Sequence, residues 1–242
     1  MIENFESRNK KLIKSMKKDI TLTKLSKDWF NNSSKYEYSY HFKWLGRPII
    51  QFPQDMIALQ EIIWKIKPDL VIETGIARGG SLIFSASILE LIGKGVVLGI
   101  DVDIRKHNKK QIQKHNLSKR IKMIQGSSVD EEILKKVKKI ASSHNKILVI
   151  LDSDHTHEHV LKELELYSNF VKKGSYIIVF DTIIEDMKSL LLKNRRWGKG
   201  NNPKTAVWKF LNRNKRFRID KEIENKLLIT VAPDGYLKCI KD

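Results

Sequence analysis

Cysteine and long apolar runs are both nearly missing from this sequence. The single cysteine, Cys239, cannot form a disulfide within the chain, which is compatible with a reducing cytoplasm. No stretch approaches the roughly 20 consecutive apolar residues that a membrane-spanning helix needs. The first residues, MIENFESRNKKLIKSMKKDI, also lack the apolar centre of a secretory signal peptide. We therefore expect a soluble, cytoplasmic protein with no transmembrane segment.

Acidic residues are also few. The chain has 28 Asp and Glu residues against 46 Lys and Arg residues, which gives a formal net charge of +18. The lysines are spread along the chain and accompany many Asn and Ile residues, which favours a purely compositional origin. The alternative is attraction to an anionic partner such as nucleic acid, an anionic glycolipid or a membrane surface.

Five short apolar segments, which end near Glu73, Asp101, Gln125, Asp152 and Asp181, alternate with segments of helical spacing. Strands that alternate with helices are typical of a parallel sheet covered on both faces. With 242 residues, of which 41% are apolar, the chain is long enough for one sizeable core. The pattern predicts an α/β fold with a Rossmann-like, doubly wound, mostly parallel sheet.

The segments outside this alternation predict additions to the sheet. FRIDKEIE (217–224) and LLITVAPDGYLKCI (227–240) predict an antiparallel C-terminal strand pair. Residues 1–35 predict one or two surface helices, and residues 36–55 predict an irregular segment that ends where Asp55 can cap a helix. We divide the chain into an N-terminal helical extension and cap, residues 1–54, and a Rossmann-like domain, residues 55–242.

A carboxylate and a glycine-rich turn follow the first predicted strand in LVIETGIARGGS, residues 70–81. The glycines Gly75, Gly79 and Gly80 lack the G-x-G-x-x-G spacing of a dinucleotide-binding turn. Glu73, directly before the turn, would repel a pyrophosphate but attract a cationic ammonium group. S-adenosylmethionine has such an ammonium group, so the turn favours this cofactor over a dinucleotide.

Further polar residues stand where the other groups of S-adenosylmethionine would lie. Asp101 ends the second predicted strand, and its two oxygens can bind the two ribose hydroxyls. Ser127 and Ser128 follow the third strand and would border the adenine. The carboxylate of the cofactor would meet Arg78 or the backbone amides near Ser81.

Asp152 and Asp181 end neighbouring predicted strands, which places two carboxylates at one edge of the sheet. Carboxylate oxygens suit Mg²⁺ or another divalent cation, which would lower the pKa of a substrate hydroxyl. The alternative is that Asp152 caps a helix and Asp181 is a turn residue. We predict that Asp152 is also catalytic through this metal.

Three histidines lie in DSDHTHEH, residues 152–159, at positions 155, 157 and 159. Residues two apart on a helix point in different directions, so we do not expect these histidines to share a metal. His155 is nearest the predicted strand end and is a candidate general base.

Seven stretches together resemble a known family: WLGRPIIQFPQD (44–55), PDLVIETGIARGGS (68–81), GIDVDIRKHN (99–108), IQGSS (124–128), LDSDHTHEHVLKELELY (151–167), GSYIIVFDT (174–182) and PDGYLK (233–238). They are similar to the cephalosporin hydroxylase-like family, which includes rhamnosyl O-methyltransferases. The resemblance implies a class I methyltransferase that binds S-adenosylmethionine, often with Mg²⁺. It also implies O-methylation of a sugar or small molecule, in some members during glycolipid or surface polysaccharide synthesis.

The resemblance also assigns residues: Glu73, Gly75 and Asp101 to the cofactor, Asp152 and Asp181 to the metal. This chain departs from the family at one position. The family often has an acidic pair at the end of strand five, whereas here the first position is Phe180 and Asp181 stands alone. Glu185 or Asp186 could compensate for the missing carboxylate.

The sequence thus predicts an S-adenosylmethionine-dependent O-methyltransferase that acts on a hydroxyl of a sugar or small molecule. Residues 36–52 and a basic loop, 193–204, would cover the site. The alternatives are an RNA methyltransferase, suggested by the charge, and a cofactor-binding protein without turnover, suggested by Phe180. The N-terminal extension is a candidate interface for a homo-oligomer.

Overall fold

The computed structural model describes residues 4–188 and 194–242. Two helices precede the first strand, and further helices cover the faces of a central sheet. Their bounds are α1 (Phe5–Lys18), α2 (Ile20–Ser34), α3 (Pro53–Ile66), α4 (Gly80–Ile92), α5 (Lys106–Lys114), α6 (Glu131–Ala141), α7 (His157–Tyr167), α8 (Pro203–Arg213) and α9 (Lys221–Leu227).

The described residues form a small hairpin and a seven-stranded sheet. The hairpin pairs β1 (Phe42–Trp44) with β2 (Arg47–Ile49). The sheet strands are β3 (Leu70–Thr74), β4 (Val96–Asp101), β5 (Ile121–Gln125), β6 (Ile147–Leu151), β7 (Tyr176–Val179), β8 (Phe217–Ile219) and β9 (Tyr236–Cys239). They lie in the order β5-β4-β3-β6-β7-β9-β8. In this sheet β9 runs in the direction opposite to the other six strands.

The five predicted parallel strands are all present, and the predicted fold class is confirmed. Every residue of β3, β6 and β7 is buried, as expected for a parallel sheet with both faces covered. Alternate side chains pack on opposite faces. Val71 joins the core under α3 and α4, whereas Leu70 and Ile72 join the core under α6, α7 and α8.

Three local predictions are wrong. The predicted strand 217–224 ends at Ile219, because the Asp220 side chain accepts a hydrogen bond from the backbone of Glu222 and starts α9. The segment predicted to be irregular, 36–55, contains the β1–β2 hairpin. Asp55 does not cap α3, since the helix begins at Pro53 and Asp55 is buried on its inner side.

No helix among the described residues is both long enough and apolar enough to cross a bilayer.

Candidate active site

A cavity of about 820 Å³ opens at the carboxyl edge of the parallel strands. The turns after β3, β4, β5, β6 and β7 all contribute to its wall, as does the segment before α3. In open α/β sheets this edge, near the point where the strand order reverses, is where ligands bind. The volume lies in the range of about 300–1,000 Å³ that small-molecule pockets occupy.

The glycine turn after β3 is packed against the backbone of neighbouring strands. Gly75 has φ +89°, and a Cβ at this position would lie 1.9 Å from the carbonyl oxygen of Asp152. A Cβ on Gly80 would lie 2.1 Å from the carbonyl oxygen of Pro48. Both positions therefore require glycine, which lets the turn approach β6 and the hairpin and keeps the cavity floor open.

Asp101, at the end of β4, lines the cavity and binds the same turn. Its Oδ2 accepts hydrogen bonds from the backbone N–H groups of Ile76 at 2.7 Å and Ala77 at 3.2 Å. Its Oδ1 accepts a hydrogen bond from the backbone of Asp103 at 3.0 Å. The carboxylate thus shapes the turn from inside the cavity.

Glu73 lies behind the large cavity, with 1% of its surface exposed. It lines a second, narrow cavity of about 10 Å³ together with Ser81, Asp55 and Asp152. The Ser81 hydroxyl donates a hydrogen bond to Oε1 of Glu73, while Oε2 has no partner among the described residues. Burial raises the pKa of Glu73 to about 7, and the Ser81 hydrogen bond opposes part of this rise.

Arg78 is exposed, and its side chain lies outside both cavities. Its carbonyl instead accepts a hydrogen bond from the guanidinium of Arg47, which is buried and also donates to Asn108 and Gln111. Arg47 therefore fixes the outer side of the glycine turn. The predicted contact between Arg78 and the cofactor stays a prediction.

Ser127 and Ser128 follow β5 and line the large cavity. The Ser128 hydroxyl donates to Oε1 of Glu163 at 2.6 Å, and the Ser153 hydroxyl donates to the same oxygen at 2.8 Å. Glu163 lies on α7 and is fully buried. This carboxylate joins the turns after β5 and β6 into one rigid wall.

Asp152, His155 and Asp181 meet at the ends of β6 and β7. One donor atom of each lies within 4.8 Å of the others, and His155 Nε2 lies 3.1 Å from Oδ2 of Asp181. Oδ2 of Asp152 accepts a hydrogen bond from Nε2 of Gln51 at 3.3 Å. Burial raises the pKa of Asp152 well above its ordinary value, and the charges of Asp181 and Glu73 raise it further.

The three neighbouring histidines contact different groups. His157 Nδ1 lies 2.7 Å from the Thr205 hydroxyl, away from the carboxylates. His159 Nε2 lies 3.1 Å from the Ser128 hydroxyl and 3.5 Å from Glu163. Only His155 belongs to the group of described residues able to hold a metal.

Both segments predicted to cover the site contribute to the cavity wall. Ser39 and Tyr40 come from the N-terminal segment, and Arg196 and Trp197 come from the basic loop. Residue 193, the first of the predicted loop 193–204, lies outside the described residues. Closure of these segments over a substrate stays a prediction.

Sequence reasoning missed Gln51 and Glu163. Gln51 lines both cavities but lies before α3, outside the strand ends that the sequence pattern indicated. Glu163 could have been found from the sequence, because its position four residues after His159 places both side chains on one helix face.

Comparison with known proteins agrees with this architecture. Residues 36–240 match the family model described as rhamnosyl O-methyltransferase/CmcI. The chain is 32% identical over 186 residues to the rhamnosyl O-methyltransferase of Mycobacterium tuberculosis (strain H37Rv). This alignment covers 76% of this chain and 72% of that protein. It is 31% identical over 141 residues to the rhamnosyl O-methyltransferase of Mycobacterium leprae, which covers 57% of this chain and 59% of that protein.

Solved structures share the fold at low sequence identity. A CmcI structure with Mg and S-adenosylmethionine aligns with a TM-score of 0.55 at 17% identity, over 83% of this chain and 77% of that one. An O-methyltransferase from Bacillus cereus in complex with S-adenosylhomocysteine aligns with a TM-score of 0.51 at 14% identity, over 77% of each chain. These likenesses show the fold of the chain.

Proposed function

Since the chain belongs to the rhamnosyl O-methyltransferase/CmcI family, we propose that it transfers a methyl group from S-adenosylmethionine to a hydroxyl oxygen of a sugar. The observation that supports this most strongly is one cavity with two chemically different ends. The glycine turn with Asp101 forms one end, and Asp152, His155 and Asp181 form the other.

The cofactor would bind at the end formed by the glycine turn. Asp101 would accept hydrogen bonds from the ribose hydroxyls, and Ser127 and Ser128 would border the adenine. Glu73 and Ser81 would face the amino acid part, where the buried carboxylate of Glu73 would be stabilised by the ammonium charge. The turn between them lies close to the sheet because Gly75 has no side chain.

The donor set at the other end fits a divalent cation. Asp152 and Asp181 present carboxylate oxygens so close together that their mutual repulsion contributes to the raised pKa of Asp152. A cation between them would relieve this repulsion. When bound, such an ion would lower the pKa of an acceptor hydroxyl. Asp152 and Asp181 would hold it.

The chain's own residues supply the remaining requirements of a single displacement at the methyl carbon. The acceptor oxygen must lie in line with the carbon–sulfur bond, and water must be excluded. Tyr40 and Trp197 stand on different wall segments of the cavity, where they would orient a sugar ring and exclude water. A polar side chain beside the acceptor would take the hydroxyl proton.

We further propose an anionic glycolipid as the acceptor. The net charge of +18 supports this, as does Arg196, which lines the cavity and has 79% of its side chain exposed. A homo-oligomeric state and a cytoplasmic location stay predictions.

The direct test is transfer of a labelled methyl group. Purified protein with methyl-labelled S-adenosylmethionine and Mg²⁺ is offered rhamnosides, other glycosides, glycolipids and RNA. We expect label in a glycoside or glycolipid, and a large loss of turnover in Asp152→Asn with the affinity for S-adenosylmethionine largely retained. Label only in RNA would favour the RNA methyltransferase alternative. Cofactor binding with no labelled acceptor would favour a binding protein without turnover.

A further inference from the structure

We propose that His155 is a ligand of the metal site, so that the site binds its cation through two carboxylates and one imidazole nitrogen. This inference rests on the proposed function, whose metal site it completes. An imidazole ligand should make the site prefer Mn²⁺ and other cations that accept nitrogen ligands over Mg²⁺.

The distances at the ends of β6 and β7 fit three ligands of one ion. Ligands about 2.0–2.2 Å from a cation lie roughly 3–4 Å from one another when they are adjacent in the coordination sphere. His155 Nε2 and Asp181 Oδ2 are 3.1 Å apart, and one donor atom of each of Asp152, His155 and Asp181 lies within 4.8 Å of the others.

The neighbouring position cannot supply a third carboxylate. Residue 180 is Phe, which is 3% exposed and lines the narrow cavity beside Asp152. An apolar ring has no donor atom, so the end of β7 provides Asp181 alone. The imidazole of His155 stands where it can replace the missing ligand.

A second observation points to a ligand at the same place. Gln51 is 6% exposed and lines the large cavity beside Asp152, His155 and Asp181. Its Nε2 donates to Asp152, but its Oε1 is buried with no partner among residues 4–188 and 194–242. An unpartnered buried amide oxygen costs free energy unless a ligand or cation satisfies it.

The ring of His155 is held in a defined orientation. The Trp197 ring packs edge-on against it, with 4.9 Å between the ring centroids. The imidazole is therefore held from the loop side while its Nε2 faces Asp181. A nitrogen lone pair bound to a cation cannot accept a proton, so this assignment replaces the predicted role of His155 as general base.

The choice of donor atoms determines which ion binds. Mg²⁺ prefers oxygen ligands in octahedral geometry, whereas imidazole suits Fe²⁺ and Zn²⁺ well. Mn²⁺ also prefers oxygen ligands but accepts an imidazole nitrogen more readily than Mg²⁺ does. A carboxylate-only site also accepts Mn²⁺, so a preference for Mn²⁺ alone does not identify a nitrogen ligand. The third ligand is reported by the nitrogen coupling and by the fall of the Mn²⁺ to Mg²⁺ affinity ratio when an oxygen donor replaces His155.

The test measures metal binding on the full-length protein without cofactor or acceptor. Calorimetric titrations with MnCl₂ and MgCl₂ give the two affinities, and pulsed electron paramagnetic resonance of the Mn²⁺ complex detects a directly bound imidazole nitrogen. The variants are His155→Ala, which removes the ligand, and His155→Asp, which replaces nitrogen with oxygen. His107→Ala, exposed on α5, is the matched control.

We expect Mn²⁺ to bind the unmodified protein at least about tenfold more tightly than Mg²⁺, with a nitrogen coupling in the spectrum. His155→Ala should lose the coupling and weaken Mn²⁺ binding at least about tenfold, and His155→Asp should lose the coupling and lower the ratio of Mn²⁺ affinity to Mg²⁺ affinity. His107→Ala should change neither value. Equal Mn²⁺ and Mg²⁺ affinities, no nitrogen coupling, or no binding of either ion would overturn the assignment. Binding of S-adenosylmethionine is measured separately. If the cofactor binds but the metal results fail, this inference is wrong while the proposed function stands.

Discussion

The Glu73 carboxylate lies buried behind the cavity and has one oxygen without a partner among the described residues. Ionisation of this group therefore destabilises the ligand-free protein. Its pKa rises from 4.5 to about 7 because burial disfavours the charge. Between these pH values the folded protein binds more protons at Glu73 than the unfolded chain, so the contribution of Glu73 to stability falls as pH rises through about 7.

The variant Glu73→Gln tests this account of Glu73. The melting temperature of Glu73→Gln relative to the unmodified protein should increase between pH 5 and pH 8, because only the unmodified protein pays for ionisation. Each kcal/mol corresponds to roughly 2–4 °C for a protein of this size. Scanning calorimetry without ligand at the two pH values measures the difference. Glu165→Gln, exposed on α7, is the control and should follow the unmodified protein. A melting-temperature difference that is the same at both pH values would contradict the raised pKa.

Residues of the site were predictable where they end an apolar strand. Asp101, Asp152 and Asp181 follow such strands, and the structure places all three on the cavity wall. Arg47 and Gln51 were not predictable in this way, because their positions depend on how the hairpin folds over the sheet edge. That is a tertiary contact with no local pattern.

Among the helices and strands, one buried carboxylate links α3 to β9 and to the segment before it. Asp55 accepts hydrogen bonds from the Thr230 hydroxyl, from the backbone N–H of Val231 at 2.9 Å and from the Tyr236 hydroxyl at 2.6 Å. Asp55 is fully buried, so its loss would leave donors unsatisfied away from water.

The variant Asp55→Ala should therefore lower stability by about 3 kcal/mol or more, which corresponds to a fall in melting temperature of roughly 6–12 °C. Tyr236→Phe, which removes one of the three donors, should cause a smaller fall. Asp28→Ala, exposed on α2, should cause none. Thermal melts followed by circular dichroism measure all three. A stability of Asp55→Ala equal to that of Asp28→Ala would show that the tie contributes nothing.

The basic loop beside the cavity is anchored by Glu185. One oxygen of Glu185 accepts hydrogen bonds from the backbone of Gly200 at 2.8 Å and from the side chain of Asn202, the N-cap of α8. Both partners of Glu185 follow Trp197 in the loop, and the ring of Trp197 packs against His155 at the cavity wall.

The variant Glu185→Ala should loosen the loop without touching the cofactor end. We expect a several-fold higher KM for the acceptor, faster hydrogen exchange in residues 194–202, and an unchanged Kd for S-adenosylmethionine. Glu158→Ala, exposed on α7, is the control. An acceptor KM that stays at the control value would mean that the loop does not contact the acceptor.

The predicted element boundaries were wrong where a local capping interaction competed with the apolar pattern. FRIDKEIE has strand-like apolar residues, yet Asp220 starts α9 within it. The core strands were predictable because their apolar runs, as in β3 and β6, have one stable position between two layers of helices.

At the scale of the whole molecule, the alternation of strands and helices was enough to predict the doubly wound sheet, and the family resemblance and O-methyltransferase class are confirmed. The role of the net charge could not be predicted in this way. A chain whose charge of +18 is spread along its length has the same composition whether or not it binds an anionic partner.

The cavity between Asp101 and Asp152 should bind S-adenosylmethionine. Calorimetric titration with S-adenosylmethionine and S-adenosylhomocysteine tests it most directly, on the unmodified protein, on Asp101→Ala and on the control Asp103→Ala, whose side chain is 71% exposed. We expect Kd values on the order of micromolar, at least about tenfold weaker binding in Asp101→Ala, and no change in Asp103→Ala. Binding of neither nucleoside to the unmodified protein would contradict the proposed function.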